Sequence, residues 1–232
     1  MRTAVTTGPS KPATNRLLCS SAAAGPLFVA GFIVDGARRP DYNLLRHPVS
    51  SLALGPRGWV QVANFALAGT LYVTGAIGLM RAPDPLLGTR FGPALFGGVG
   101  LDLLGSAAFA TDPVSGYPPG TPDLPTDQTT RMKVHGIAAL PIFLGIPAAA
   151  FVCARRFNRR HEQVWAVYSS ATGGAMLAAM GLAGAGFNQA ARLVSVAGLL
   201  QRAAIITGFG WLTALSARSV RRSPRPSDHS AI

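Results

Sequence analysis

The sequence predicts an all-α, polytopic membrane protein, a bundle of six transmembrane helices with both termini in the cytoplasm. Three observations carry this. The 232-residue chain is 49% hydrophobic and only 13% charged, where soluble domains carry roughly a quarter of their residues as charges. Mean hydropathy is +0.32. Apolar runs recur at 17–37, 59–80, 91–110, 134–154, 163–187 and 194–216, each near the ~20 residues that cross ~30 Å of hydrocarbon at about 1.5 Å per residue.

The elements follow in order. Residues 1–16 are rich in Ser, Thr, Pro and Arg and read as a disordered cytoplasmic leader. The first span follows a basic segment, so a cleaved signal peptide is the rival reading; Ala22-Ala23-Ala24 comes too early for a full apolar region to precede it. The second span opens at Trp59, an interfacial anchor, as Trp165 is for the fifth. Gly97, Gly98, Gly100 and Gly105 in the third span, and Gly173, Gly174, Gly181 and Gly184 in the fifth, mark close helix packing, because in lipid helices associate through backbone approach rather than the hydrophobic effect. Residues 217–232 read as a disordered basic cytoplasmic tail that touches anionic lipid.

The net charge of +12 comes from 21 Lys and Arg against nine Asp and Glu. These basic residues lie singly or in short clusters between apolar runs, a pattern of membrane topology rather than nucleic-acid binding. With the N-terminus inside, thirteen fall on the inner side, including Arg155–Arg160 and the C-terminal arginines, against eight on the outer side. Arg38, Arg39, Arg46 and Arg57 in the first outer connection run against that bias and are expected to face a pocket or lipid headgroups. A multi-pass bacterial plasma-membrane protein is the expected localisation. Cys19 and Cys153 lie near inner span ends, where a disulfide is not expected.

Asp102 is the most informative single residue. It sits eight residues below the outer end of its span, ~12 Å deep at 1.5 Å per residue, where an ionisable group costs on the order of 2.5–3.5 kcal/mol and must pair, neutralise or line a wet cavity. Arg202, eight residues below Val194, reaches the same depth. Equal depth predicts an Asp102–Arg202 ion pair, either a structural tie or a mount that aims Arg202 into an outward pocket. Arg46, His47, Asp112, His135, Arg192 and Arg202 are the candidate ligand-binding residues at the outer rim, and Asp102, Asp112 and His135 the catalytic candidates. No HxxxH or HExxH spacing points to a metal, and no cofactor is expected. Ser50-Ser51 lacks a Gly-x-Ser-x-Gly elbow and reads as an N-cap for a short helix toward Gly55-Pro56.

The order of polar positions then becomes informative. Arg46-His47-Pro48-Val49-Ser50-Ser51-Leu52 after the first span, Asn64-Phe65 and Gly69 in the second, Asp112-Pro113 after the third, His135-Gly136 opening the fourth and Gly198-Leu199-Leu200-Gln201-Arg202 in the sixth resemble the bacterial six-helix membrane family catalogued as domain of unknown function nine-nine-eight, over roughly residues 17–216. That resemblance implies that the Ser-Leu segment, Asp112, His135 and Arg202 are recurring polar positions; Ser51 and Ala53 stand where the family pattern has Glu and Gly. Three functions are expected, in this order: binding or moving a lipidic or amphipathic small molecule in an outward polar pocket; intramembrane Asp/His acid–base catalysis on a prenyl or acyl lipid; or an accessory subunit. The expected partners are membrane lipids, a hydrophobic small-molecule ligand and a membrane protein docked on Gly/Ala helix faces, with no nucleic acid.

Overall fold

A computed structural model describes residues 11–82, 84–125 and 127–222. The predicted leader and tail therefore lie outside the described residues for 1–10 and 223–232, whereas residues 11–16 and 217–222 are helical. Among the described residues seven α-helices make six spans: α1 (Lys11–Ala37), α2 (Gly58–Arg81), α3 (Phe91–Ala108), a fourth span formed by α4 (Thr130–Ala138) and α5 (Ile146–Arg159), then α6 (Gln163–Phe187) and α7 (Ala197–Arg222). All six are long and apolar enough to cross a membrane, as the sequence predicts. The described residues contain no β-strand.

The fourth span is broken where the sequence predicts one continuous run. Pro141 lacks the N–H that a helix interior needs, and Pro141–Gly145 widens into a π-helical turn between α4 and α5. Such turns are rare and cluster at functional sites.

The spans form a ring. α2 packs between α1 and α3, α7 between α1 and α6, and α5 against α6, while α4 and the π turn close the ring on α3. Small residues set the closest approaches. A Cβ on Gly69 would lie 2.8 Å from the Gly100 carbonyl oxygen, and one on Gly100 2.8 Å from that of Gly69, so the α2–α3 crossing requires both glycines. Asn64 fills the notch at Gly31, and its amide donates to the Phe28 carbonyl at 3.1 Å. The core between α1, α2 and α7 is aromatic, with Phe28 stacked on Phe209 at 5.2 Å and Tyr72 edge-on to Phe209 at 5.6 Å.

The two ends differ in construction. At one end Arg81, Arg90, Arg155, Arg159, Arg160 and Arg221 are exposed. Asp84 ties the α2–α3 connection to α7 there, taking the Leu86 and Leu87 N–H groups and the Ser219 hydroxyl at 2.7, 3.1 and 3.0 Å. Arg218 pairs with Glu162 and stacks against Phe157 and Trp165. Cys19 and Cys153 are free thiols. At the other end the long connections 38–57 and 109–129 fold over the bundle, and the site lies beneath them.

Candidate functional site

Three arginines, Arg39, Arg46 and Arg57, hold the 38–57 connection, and of these Arg39 is buried. Arg39 is 7% exposed. It donates to Asp35 Oδ2 at 2.6 Å, to the Leu52, Arg57 and Leu54 carbonyls at 2.7, 2.9 and 3.1 Å, and to the Tyr117 hydroxyl at 3.2 Å. Arg57 supports the other Asp35 oxygen at 3.2 Å. Arg46 bridges to the second connection, donating to Asp123 at 2.6 Å and to the Ser115 carbonyl at 3.2 Å. Arg39, Arg46 and Arg57 hold loop carbonyls and carboxylates, and Arg39 and Arg57 also line a pocket at this end together with Asp41 and Tyr117.

Arg202 belongs to the same clasp. From α7 it donates to the His47 and Gly198 carbonyls at 2.8 and 2.9 Å and to the Tyr42 hydroxyl, and its guanidinium lies 5.4 Å from the Tyr42 ring centroid. Leu199 N–H donates to the Leu45 carbonyl at 2.9 Å, and Gln201 Oε1 accepts from Val49 N–H at 2.8 Å. The Gly-Leu-Leu-Gln-Arg segment is thus the seam that sews α7 to the connection.

The predicted Asp102–Arg202 ion pair is not formed. Asp102 Oδ2 accepts from Ile142 N–H at 3.2 Å, and Oδ1 from the Ser106 hydroxyl at 3.4 Å. Equal depth fixes height but not azimuth: successive helical residues point ~100° apart, and it is Gln201, not Arg202, that turns to the Asp102 side. The Ser50-Ser51 cap is corrected as well. A short 3₁₀ turn runs Val49–Ala53 from Pro48 with no side-chain cap, and Ser51 is buried.

His47 sits under the connection. Its Nδ1 accepts from Asn43 N–H at 3.0 Å, and its ring lies 5.3 and 5.2 Å from those of Tyr42 and Tyr117. Burial, with Arg46 and Arg202 beside it, lowers its pKa below 6.5, against weaker opposing contributions from Ser115 and Asp123. Burial likewise pushes the Tyr42 phenol up to about 12 against the pull of Arg202, so it keeps the proton it donates to the Pro48 carbonyl at 2.8 Å. The sign for His47 follows from linkage. Its folded pKa is the lower one, so the unfolded chain binds the extra proton, and stability present above pH 6.5 is lost as pH falls below it. Thermal unfolding between pH 7.5 and 5 is expected to show this loss in wild type and less of it in His47→Asn, whose Oδ1 can still accept from Asn43; equal pH slopes would dismiss the assignment.

Of the other predicted residues, Asp112 takes Thr129 N–H and hydroxyl at 2.8 and 2.7 Å and so fixes the start of α4, where Thr129 caps Met132 N–H at 3.2 Å. Arg192 is exposed. Arg46, His47, Asp112, Arg192 and Arg202 do not line the cavity that Asp102 and His135 share.

What does converge is Asp102 with His135. Both line a cavity of about 50 Å³ where α4 and the π turn close on α3, room for about two water-sized groups. Phe28, Phe65, Phe143 and Phe209 wall it, with Ser106, Gln201 and Ser50 as its further polar lining. His135 Nδ1 lies 2.9 Å from the Phe109 carbonyl oxygen; a carbonyl only accepts, so Nδ1 carries the proton and Nε2 is left as an acceptor. Among the described residues no cluster of three His, Cys, Asp or Glu forms a metal cage.

A family profile described as "Protein of unknown function (DUF998)" matches residues 22–218. The chain belongs to that family. No curated protein and no solved structure matches it. The positions that carry the DUF998 resemblance are joints of this fold: Asn64 on Gly31, Gly69 on Gly100, Asp112 on Thr129, His135 on Phe109, and Gly198 to Arg202 on the 42–49 segment. In this DUF998 chain sequence reasoning missed Ser106, Phe28, Phe143 and Phe209, and it named Gln201 and Phe65 only as positions of the resemblance, not as site residues. Ser106 was legible as the residue one turn above Asp102, toward the predicted outer end; apart from Phe65, which stands in the Asn64-Phe65 pair, the phenylalanines carry no signal beyond that of any other core aromatic.

Proposed function

We propose that this membrane protein sits in the bacterial plasma membrane with its arginine-rich end in the cytoplasm, and binds an amphipathic small molecule whose polar head enters the Asp102–His135 cavity. The observation that carries the reading is the pairing of a 3%-exposed carboxylate on α3 with a 9%-exposed imidazole on α4 at one cavity walled by aromatic rings. Intramembrane ionisable groups are costly to keep, and a few convergent polar groups in an apolar pocket are the usual make-up of a small-molecule site. The arginine clasp holds the roof, since Val49, Ser50 and Gln201 belong both to the clasped segment and to the lining.

Native mass spectrometry on protein extracted in mild detergent tests this. A small-molecule adduct is expected on wild type and lost from Asp102→Asn and from His135→Ala at unchanged oligomeric mass; wild type without an adduct, or an adduct indifferent to both substitutions, overturns the reading.

Acid–base chemistry on a prenyl or acyl lipid is a second reading, favoured by a His135 imidazole whose Nδ1 is held by the Phe109 carbonyl and a carboxylate lining the same cavity. The same spectra separate the two readings, because an enzyme releases a product of altered mass and a binding protein returns its ligand unchanged.

A further inference from the structure

Resting on the binding role of this cavity, we infer that its ligand is an amphipathic amine, held through the ammonium N–H donors rather than through an anionic head. The lining decides this by its hydrogen-bonding inventory. Both Asp102 oxygens accept, from Ile142 N–H and from the Ser106 hydroxyl. Ser106, having donated to Asp102, offers lone pairs. His135, with Nδ1 committed to the Phe109 carbonyl, offers Nε2 as an acceptor as well. Three residues with acceptor capacity therefore line the α3–α4 side of the cavity, one of them a carboxylate.

The donors that an anion would need are elsewhere. No Lys or Arg lines the cavity. Arg202, the nearest in sequence, has its terminal nitrogens on Tyr42, His47 and Gly198. The clear donors are the Gln201 amide, across on α7, whose Oε1 is held by Val49 N–H, and the Ser50 hydroxyl, both neutral. A carboxylate or phosphate placed here would face Asp102 with only neutral donors to offset it, a like-charge contact in a poorly solvated site. An ammonium instead gains a charge-assisted hydrogen bond to Asp102 and the π faces of the surrounding phenylalanines.

Size narrows the class. A cavity of about 50 Å³ admits an ammonium and its first carbons, and the rest of the molecule must pass out beside Ser50, Ala139 and Phe143, the partly exposed residues on its border. Primary amines with a linear apolar tail fit this shape; bulky quaternary heads lack both the N–H donors and the room.

The test uses three six-carbon probes on the full chain in lipid nanodiscs, followed by thermal unfolding: hexylamine, hexan-1-ol and hexanoate. Hexylamine is expected to raise the unfolding temperature saturably, at concentrations at least tenfold below those at which hexan-1-ol acts, with no rise from hexanoate. Asp102→Asn is expected to erase the advantage of the amine over the alcohol. Ala139→Leu, which leaves every polar group in place and fills the border, is expected to remove protection by both, and serves if Asp102→Asn does not fold. Protection by hexanoate at or below the hexylamine concentration overturns the amine assignment while leaving a binding cavity in place. An amine effect equal in wild type and Ala139→Leu overturns it as partition into the bilayer. No saturable shift from any probe overturns this assignment together with the binding role on which it rests.

Discussion

Arg39→Met is expected to destabilise the folded chain by about 3–5 kcal/mol, the usual cost of stranding one partner of a buried ion pair. Asp35 is 3% exposed and would be left with Arg57 alone, a residue whose own side chain is 53% exposed. The Leu52, Leu54 and Arg57 carbonyls would lose their donor in the same step, and a buried acceptor without a partner costs about 1–3 kcal/mol. Methionine keeps the aliphatic stem, so the loss reads the guanidinium and not the packing. Equilibrium unfolding in a mild detergent measures it. Asp35→Asn/Arg39→Met is expected to cost less than the sum of the single substitutions, because removing both charges leaves none stranded. A single substitution within about 1 kcal/mol of wild type would show that Arg39 does not hold the connection together.

Gly198→Ala is the second large effect, and it acts on the other half of the clasp. The added Cβ would stand 2.5 Å from the His47 carbonyl oxygen, 2.8 Å from an Arg202 nitrogen and 2.9 Å from the Arg46 carbonyl carbon. Two of these are backbone atoms that cannot rotate away. Relief requires α7 and the 42–49 segment to part, which breaks the Leu199-to-Leu45, Val49-to-Gln201 and Arg202-to-His47 bonds. Overpacking costs about 1–3 kcal/mol, and each lost hydrogen bond about 0.5–1.5 kcal/mol more. Faster proteolysis within 38–57 and a lower unfolding temperature are the readouts. Gly174→Ala is the control: its Cβ meets nothing within 4 Å, so stability should stay within about 0.5 kcal/mol of wild type. Equal behaviour of the two glycines would refute the clasp.

The spans were legible because each is a local property of its own residues. Apolar length predicted all six, and the ends of the run 163–187 coincide with those of α6. The break at Pro141 was legible in principle from proline's missing N–H, yet the fourth run reads as continuous because hydropathy does not register a lost hydrogen bond. The site was legible one residue at a time: Asp102 and His135 stood out as polar groups in apolar surroundings. Their conjunction did not, since helical depth gives height along the membrane normal and says nothing about which neighbour a side chain turns toward. Arg202 shows the consequence. Placed at the right height, it was paired with the wrong partner.

The sequence by itself determined the membrane setting, the number of spans and the residues too expensive to leave in lipid, because transfer free energies and backbone hydrogen bonding within a helix depend on composition over about 20 residues. Only the tertiary structure decided what those residues do. Arginines 39, 46 and 202 became fasteners of the connections because irregular backbone at the end of a bundle exposes carbonyls that need donors. Asp102 and His135 came to share a cavity because the ring of helices closes at the π turn. That closure depends on which glycines let which helices touch, and contact between residues distant in the chain is set by packing in three dimensions rather than by any local run of sequence.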